Sequence, residues 1–173
     1  MSDVILLAYT TKYGSTAEVA QVIAETLRDL GLHLDVRPAN EVESLAPYHA
    51  VILGTALYIG RIHGDARSFL TRNRKALEKL PSALFVLGPI HAEEKEQISS
   101  QDQLVKGLAH FPWFRPVEQQ VFGGLYDPAR LGFPFSLIPP LRKMPPSDAR
   151  DWLAIRNWAH SLAASSLAAS HTV

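Results

Sequence analysis

Apolar residues fall along this chain in two alternating patterns: short continuous runs, and longer segments with an apolar residue every three or four positions. Continuous runs predict buried strands, and the second pattern predicts amphipathic helices. The predicted strands are residues 4–9, 32–39, 50–56, 82–88 and 117–126. The predicted helices are residues 16–30, 63–80, 101–111 and a last helix that Ser147 or Asp148 caps.

This alternation predicts one α/β domain over residues 1–173, built as a doubly wound, five-stranded parallel sheet with helices on both faces. Residues 32–39 alternate between apolar and polar, which is typical of a strand at the sheet edge. We expect a polar loop at residues 89–99 and a frayed tail from residue 163. Folds of this kind bind ligands where the parallel strands end, at their carboxyl edge.

The charge balance and the lack of cysteine remove several classes of function. Seventeen Lys and Arg residues balance seventeen Asp and Glu residues, whereas nucleic-acid-binding proteins usually carry a basic excess. Without cysteine there are no disulfides or thiolate zinc sites, so redox chemistry requires a bound cofactor. The seven histidines lack ligand spacing, so we predict no metal. Because there is no signal peptide and no apolar run of about 18 residues, we expect a cytoplasmic protein.

Residues 10–16, TTKYGST, connect the first predicted strand to the first helix. A helix N-terminus offers unpaired N–H groups and a partial positive charge, which suit a phosphate. Thr11, Ser15 and Thr16 add hydroxyl donors, and Gly14 lets the backbone approach closely. The alternative interpretation is that Ser15 or Thr16 only caps the helix. The position directly after a buried strand favours the anion.

Three other phosphate-binding arrangements do not match this segment. A P-loop requires GxxxxGK[ST], and a dinucleotide-binding fold requires GxGxxG in its first turn. Neither pattern is present. A response-regulator receiver carries its phosphorylated aspartate after the third strand, where this chain has LGTALY without an acid.

The residues in register with the flavodoxin pattern are Tyr9, Thr11, Gly14, Thr16, Ala20 and Ile23. The chain therefore resembles the flavodoxin-like FMN proteins. The resemblance implies that residues 10–16 hold the phosphate of FMN, while the loops after the third and fourth strands contact its ring. The implied cofactor-binding residues are Thr10, Thr11, Lys12, Tyr13, Gly14, Ser15, Thr16, Thr55, Ala56, Leu57, Tyr58, Ile59, Gly60, Gly88, Pro89 and Ile90.

The loop after the third strand leaves several roles open. Tyr58 either stacks on the flavin or packs on the protein, and Gly60 either permits a backbone change near the ring or only forms a turn. His63 is the candidate catalytic residue, as a proton donor. For Arg61 and His63, a position on the solvent-exposed surface explains a polar residue as well as a role in the site does.

Residues 127–147 form an insertion between the fifth predicted strand and the last helix, rich in proline, apolar and basic residues. The prolines exclude a long regular helix, and the apolar content argues against disorder. One interpretation is a flap packed on the body or on a partner subunit. The other is a surface for an amphipathic substrate or for the inner face of an anionic membrane, which residues 130–144 would contact.

Four segments resemble the menaquinone-dependent protoporphyrinogen IX dehydrogenases, and the likeness spans nearly the whole chain. They are TTKYGST, GTALYIGRIH, RPVEQQVFGGLY and SDARDWLAIRNWA. The resemblance implies FMN, oxidation of a tetrapyrrole precursor and electron delivery to a quinone or redox protein at the membrane. We therefore expect an FMN oxidoreductase. A non-catalytic electron carrier of the flavodoxin type and a flavin-free interaction module are the alternatives.

Overall fold

Five parallel strands form the central sheet of the structure, a computed structural model that describes residues 3–58, 61–89 and 93–168. The strands along the chain are β1 (Val4–Tyr9), β2 (His33–Pro38), β3 (Ala50–Tyr58), β4 (Arg61–Ile62), β5 (Ser82–Leu87), β6 (Glu118–Phe122), β7 (Leu125–Tyr126) and β8 (Ser147–Asp148). The parallel strands follow the order β2-β1-β3-β5-β6, and the short β4 adds an antiparallel partner to β3. The predicted five-stranded parallel sheet is confirmed, with β2 at its edge as expected.

Helices cover both faces of this sheet, as predicted. They are α1 (Ser15–Asp29), α2 (Gly64–Arg72), α3 (Arg74–Leu77), α4 (Glu94–Leu108), α5 (Pro139–Lys143) and α6 (Trp152–Ala164). Alternate residues of β1 point to opposite faces, so Ile5 and Leu7 pack with α1 and α6, whereas Leu6 and Ala8 pack with α2 and α4. Because all four are fully buried, β1 reads as a continuous apolar run.

The predicted helix over residues 63–80 is wrong in its continuity, because the chain breaks at Asn73. Helix α2 ends at Arg72 and α3 starts at Arg74. The Asn73 side chain donates to the Phe69 carbonyl at 3.0 Å, which offers the backbone an alternative to regular helix.

The predicted loop over residues 89–99 is also wrong from residue 94 onward, where α4 begins. Only Ser100 and Leu104 of this helix are buried, so its first turns carry no apolar periodicity that a pattern could detect. Glu94 and Glu96 lie in the first turn, where negative charge complements the helix dipole.

The predicted strand over residues 117–126 is split, because β6 ends at Phe122 and β7 leaves the sheet. Strand β7 pairs antiparallel with β8 in a separate two-stranded ribbon, with Leu125 opposite Asp148. Gly123 permits this turn, since a Cβ there would lie 1.9 Å from the carbonyl oxygen of Ala149. The ribbon forms the base of the insertion.

This pairing also corrects the predicted cap of the last helix. Ser147 and Asp148 belong to β8, and Asp151 caps α6 instead by accepting a hydrogen bond from the Ala154 N–H at 3.0 Å. The predicted fraying from residue 163 is wrong for the first residues of the tail, because α6 continues to Ala164 and Leu167 is buried. Residues 169–173 lie outside the described residues. None of the described helices has the length and apolar character needed to cross a membrane.

We predict that Gly123→Ala lowers the free energy of unfolding by about 1–3 kcal/mol, because the new methyl group meets backbone rather than a flexible side chain. Gly132→Ala is the matched control, since a Cβ at Gly132 meets nothing within 4 Å. Urea unfolding of both variants tests this. Equal stability of Gly123→Ala and wild type would show that the turn after β6 is not tightly fixed.

Candidate functional site

A cavity of about 420 Å³ lies where the loop after β1, the ends of β3 and β5, and the segment after β6 meet. Each of these segments follows a parallel strand, so the cavity is at the carboxyl edge that the fold predicts for a ligand. Of the predicted cofactor-binding residues, seven line it: Lys12, Tyr13, Ser15, Thr16, Ala56, Leu57 and Gly88. The candidate catalytic residue His63 lines it as well.

Gly14 forms the turn through which the loop enters α1. This residue takes a left-handed conformation with φ of 91°, which favours glycine, and its carbonyl accepts the first helical hydrogen bond from Glu18 at 3.0 Å. Gly14 is the N-cap residue and makes no side-chain cap, so the interpretation of Ser15 or Thr16 as the cap is wrong. The Thr11 hydroxyl instead accepts from the Gly14 N–H at 2.9 Å. The N–H groups of the first turn, which have no acceptor within a helix, therefore stay available to a ligand.

Thr10 and Thr55 fix the bases of two loops against each other. Their hydroxyl groups are buried and lie 2.8 Å apart, and the Thr10 N–H also donates to the Gly54 carbonyl at 2.9 Å. These contacts join the ends of β1 and β3. Both threonines were predicted to bind the cofactor, but each uses its hydroxyl on the other and so positions the loops that line the cavity.

His63 carries a specific tautomer at the cavity wall. Its Nδ1 accepts a hydrogen bond from the Asp65 N–H at 3.2 Å, which caps α2. An accepting Nδ1 requires that the neutral ring bears its proton on Nε2. The side chain is 20% exposed and lines the cavity.

Several predicted residues do not contribute a described side chain to the cavity. Pro89 is buried, and its carbonyl accepts from the Gly124 N–H. The side chain of Tyr58 and all of Ile59, Gly60 and Ile90 lie outside the described residues. The exposed Arg61 lies on β4 and pairs in register with Tyr58.

The segment after β6 forms a wall of the cavity that the predicted site residues do not include. Its lining residues are Gly124, Leu125, Tyr126, Asp127, Arg130, Leu131, Phe135 and Leu141. An apolar segment that leaves the carboxyl end of a strand was the available signal, but nothing in the sequence shows which way it folds. Its prolines do exclude a long helix, as predicted, since its only described α-helix is the short α5.

The insertion folds over the phosphate-loop candidate at residues 10–16. The Lys12 Nζ lies 4.3 Å from the centre of the Phe135 ring, and the Arg130 Nη1 donates to the Tyr13 carbonyl at 3.3 Å. On the outer side, Phe133 is 80% exposed and Leu137 is 65% exposed. The insertion therefore has an inner side packed on the body, as the flap interpretation expects, and an exposed apolar outer side, whose role as a surface for a substrate or a membrane stays a prediction.

Two arginines neutralise the acid nearest to this loop. Glu18 accepts from Arg130 at 2.9 Å and from Arg150, whose side chain is only 7% exposed. Partial burial opposes ionisation of Glu18, but the hydrogen bonds from Arg150 and Arg130 outweigh it and lower the pKa of the carboxyl group. A hydrogen bond from Arg150 likewise lowers the pKa of Asp148. The insertion and the start of α1 are thus joined by ionised groups.

The residues present fit FMN. A volume of about 420 Å³ is within the usual range for a small-molecule site, about 300–1,000 Å³. First-turn N–H groups and the hydroxyls of Ser15 and Thr16 suit a phosphate, and the apolar walls from Leu57, Leu87 and the insertion suit an aromatic ring system.

Solved structures with the same fold include flavodoxins. A flavodoxin from Streptococcus pneumoniae TIGR4 has a TM-score of 0.57 and 17% identity, covering 93% of this chain and 98% of its own. The rubredoxin oxygen:oxidoreductase of Desulfovibrio gigas has a TM-score of 0.59 and 16% identity, covering 94% of this chain and 36% of its own.

Among curated proteins, the protoporphyrinogen IX dehydrogenase [quinone] of Escherichia coli (strain K12) is 26% identical over 170 residues, which cover 91% of this chain and 93% of the relative. The NAD(P)H dehydrogenase (quinone) of Cupriavidus metallidurans is 32% identical over 92 residues, which cover 40% of this chain and 46% of the relative. The flavodoxin domain profile matches residues 6–134. This chain therefore belongs to the flavodoxin domain family, whose cofactor is FMN.

Proposed function

We propose that this chain is an FMN-dependent oxidoreductase that passes electrons between an apolar, protoporphyrinogen-like substrate and a quinone or redox protein. One observation carries the proposal: an apolar insertion closes over the phosphate loop and forms a wall of the same cavity. An electron carrier needs only a bound flavin with an accessible edge, whereas a wall of this kind provides surface for a second, apolar molecule.

The roles proposed for the residues combine the resemblance to the flavodoxins with the described residues that line the cavity. Residues 11–16 bind the phosphate, and the segments at residues 55–60 and 88–90 hold the ring in position. When bound, FMN supplies the acceptor for a hydride or for electrons. The Nε2–H of the neutral His63 ring can donate a hydrogen bond to a reacting group at the cavity wall. Leu57, Leu87 and the insertion exclude water from these groups.

The likeness to the Escherichia coli protoporphyrinogen IX dehydrogenase supports the substrate class, because it extends over 91% of this chain. The shorter likeness to a quinone-reducing NAD(P)H dehydrogenase supports a quinone as the acceptor.

We predict that FMN-loaded protein oxidises protoporphyrinogen in the absence of oxygen when a quinone is supplied, with porphyrin fluorescence as the readout. The reaction should depend on both FMN and the quinone. If the flavin is reduced by protoporphyrinogen only as slowly as free FMN, the substrate is wrong. If reduced protein passes electrons only to a redox protein, the chain is a carrier.

We predict that the double variant Thr11→Ala and Thr16→Ala binds FMN at least about a hundredfold more weakly, because hydrogen bonds to a charged group contribute about 1.5–3 kcal/mol each. Titration of apoprotein, followed by quenching of flavin fluorescence, measures this. Thr26→Ala in the same helix is the control, since that hydroxyl donates to the Val22 carbonyl at 2.7 Å. Wild-type affinity in the double variant would remove residues 10–16 as the phosphate site.

We further propose that the outer side of the insertion contacts an anionic membrane surface, where an apolar quinone resides. Phe133, Leu137 and Ile138 are 80%, 65% and 40% exposed, and Arg142 and Lys143 follow them in α5. Exposed apolar residues beside basic ones are typical of interfacial binding.

We predict that Arg142→Glu with Lys143→Glu weakens binding to vesicles of phosphatidylserine and phosphatidylcholine roughly 30-fold, at about 1 kcal/mol per basic residue. Lys75→Glu with Lys79→Glu is the matched control, since both are exposed lysines at and beside α3. Vesicle co-sedimentation separates the two pairs. Equal loss for both pairs would indicate a general charge effect, and no loss would exclude this surface.

A further inference from the structure

The side chain of Arg130, in the insertion, contacts the proposed phosphate loop. Its Nη1 donates to the Tyr13 carbonyl at 3.3 Å and to Glu18 at 2.9 Å. The same nitrogen lies 3.8 Å from the position that a Cβ of Gly14 would occupy. Arg130, which is 117 positions after Tyr13 in the chain, thus sits against the glycine of the loop.

The local structure of the insertion aims this side chain. Asp127 accepts from the Ala129 N–H at 2.9 Å and so caps the short turn Pro128–Arg130. The other oxygen of Asp127 lies 3.7 Å from the Nε of Arg130. The guanidinium is therefore oriented from both ends, by Asp127 at its base and by Tyr13 and Glu18 at its tip. It lines the cavity together with Ser15 and Thr16.

Charge balance explains why a cation is needed there. A phosphate at the start of α1 lies near Glu18, which occupies the first turn of that helix. The helix dipole supplies only about half a positive charge. Arg150 is already committed to Asp148 as well as to Glu18. Lys12 lies over the rings of Tyr13 and Phe135.

Arg130 presents a planar, always charged group whose five N–H donors suit phosphate oxygens. The contacts described above use only the donors on Nη1 and Nε.

We propose that Arg130 is a ligand of the FMN phosphate, so that the phosphate site has two walls, one from residues 11–16 and one from the insertion. The phosphate then adds a contact that holds the insertion against the cavity, and FMN binding stabilises the wall against which the apolar substrate lies. This inference rests on FMN as the cofactor. The group that holds the insertion in place is then the phosphate and not the flavin ring.

The test compares FMN with riboflavin, which has the same ring system and no phosphate. Arg130→Gln should raise the dissociation constant for FMN by about ten- to a hundredfold and leave that for riboflavin unchanged. Arg130→Lys should restore part of the FMN affinity, because it retains the charge. Arg156→Gln is the control, an exposed arginine on α6.

Equal weakening of FMN and riboflavin by Arg130→Gln would show that Arg130 only holds the insertion in place, and this would overturn the proposal. Unchanged affinity for both would also overturn it. If wild-type protein binds neither flavin, the FMN function itself fails, which is a separate outcome.

Limited trypsin digestion of the wild-type protein provides a readout that needs no variant to fold. Cleavage after Arg142 and Lys143, both exposed in α5, should be slowed severalfold more by FMN than by riboflavin when each is saturating. Equal protection by the two flavins would contradict a role for the phosphate in holding the insertion in place.

Discussion

The site depends on the parallel register of β1, β3, β5 and β6, which brings the ends of these strands to one edge. Tyr9 pairs with Gly54, and Leu87 pairs with both Ala56 and Phe122. Every loop that lines the cavity starts within a few residues of one of these pairs. The buried Thr10–Thr55 hydrogen bond then ties the start of the loop after β1 to β3, one residue beyond the last β1–β3 pair. The positions of the phosphate loop and of the ring-facing loop are thus fixed by the core.

The insertion adds a wall to this edge and so forms one side of the cavity. Its base is a two-stranded ribbon that forms because Gly123 can pass close to Ala149. Arg130, near the start of the insertion, and Arg150, just after β8, join it to Glu18 of α1. Apolar residues on the inner side line the cavity, while those on the outer side remain exposed. One segment therefore serves two surfaces, which fits a protein that handles apolar molecules.

The sequence predicts those parts of the fold in which local pattern and burial agree. Strand β1 and helix α1 follow from a continuous apolar run, a glycine and helical spacing, and their bounds differ from the prediction by a residue at most. Helix α4 starts earlier than predicted because its first turns face solvent and carry no pattern. At the break between α2 and α3, the Asn73 side chain hydrogen-bonds to the Phe69 carbonyl, a contact that the apolar pattern does not predict.

The candidate site was predictable to a similar degree. The proposed phosphate loop is local in sequence, so its composition and position are enough to predict it. The wall from the insertion is not local, because the contact of Arg130 with Tyr13 and Glu18 spans more than 100 residues. A pattern of apolar and polar positions carries no information on such a pairing. The partner of a charged residue becomes evident only when the fold brings the two together.

The most direct test of this account is a crystal structure of the protein with FMN at full occupancy. The account predicts the phosphate within hydrogen-bond distance of the first-turn N–H groups of α1 and of Arg130. It also predicts the flavin ring between the end of β3 and the insertion. A phosphate bound away from residues 11–16, or an insertion displaced so that the ring lies open to solvent, would contradict it.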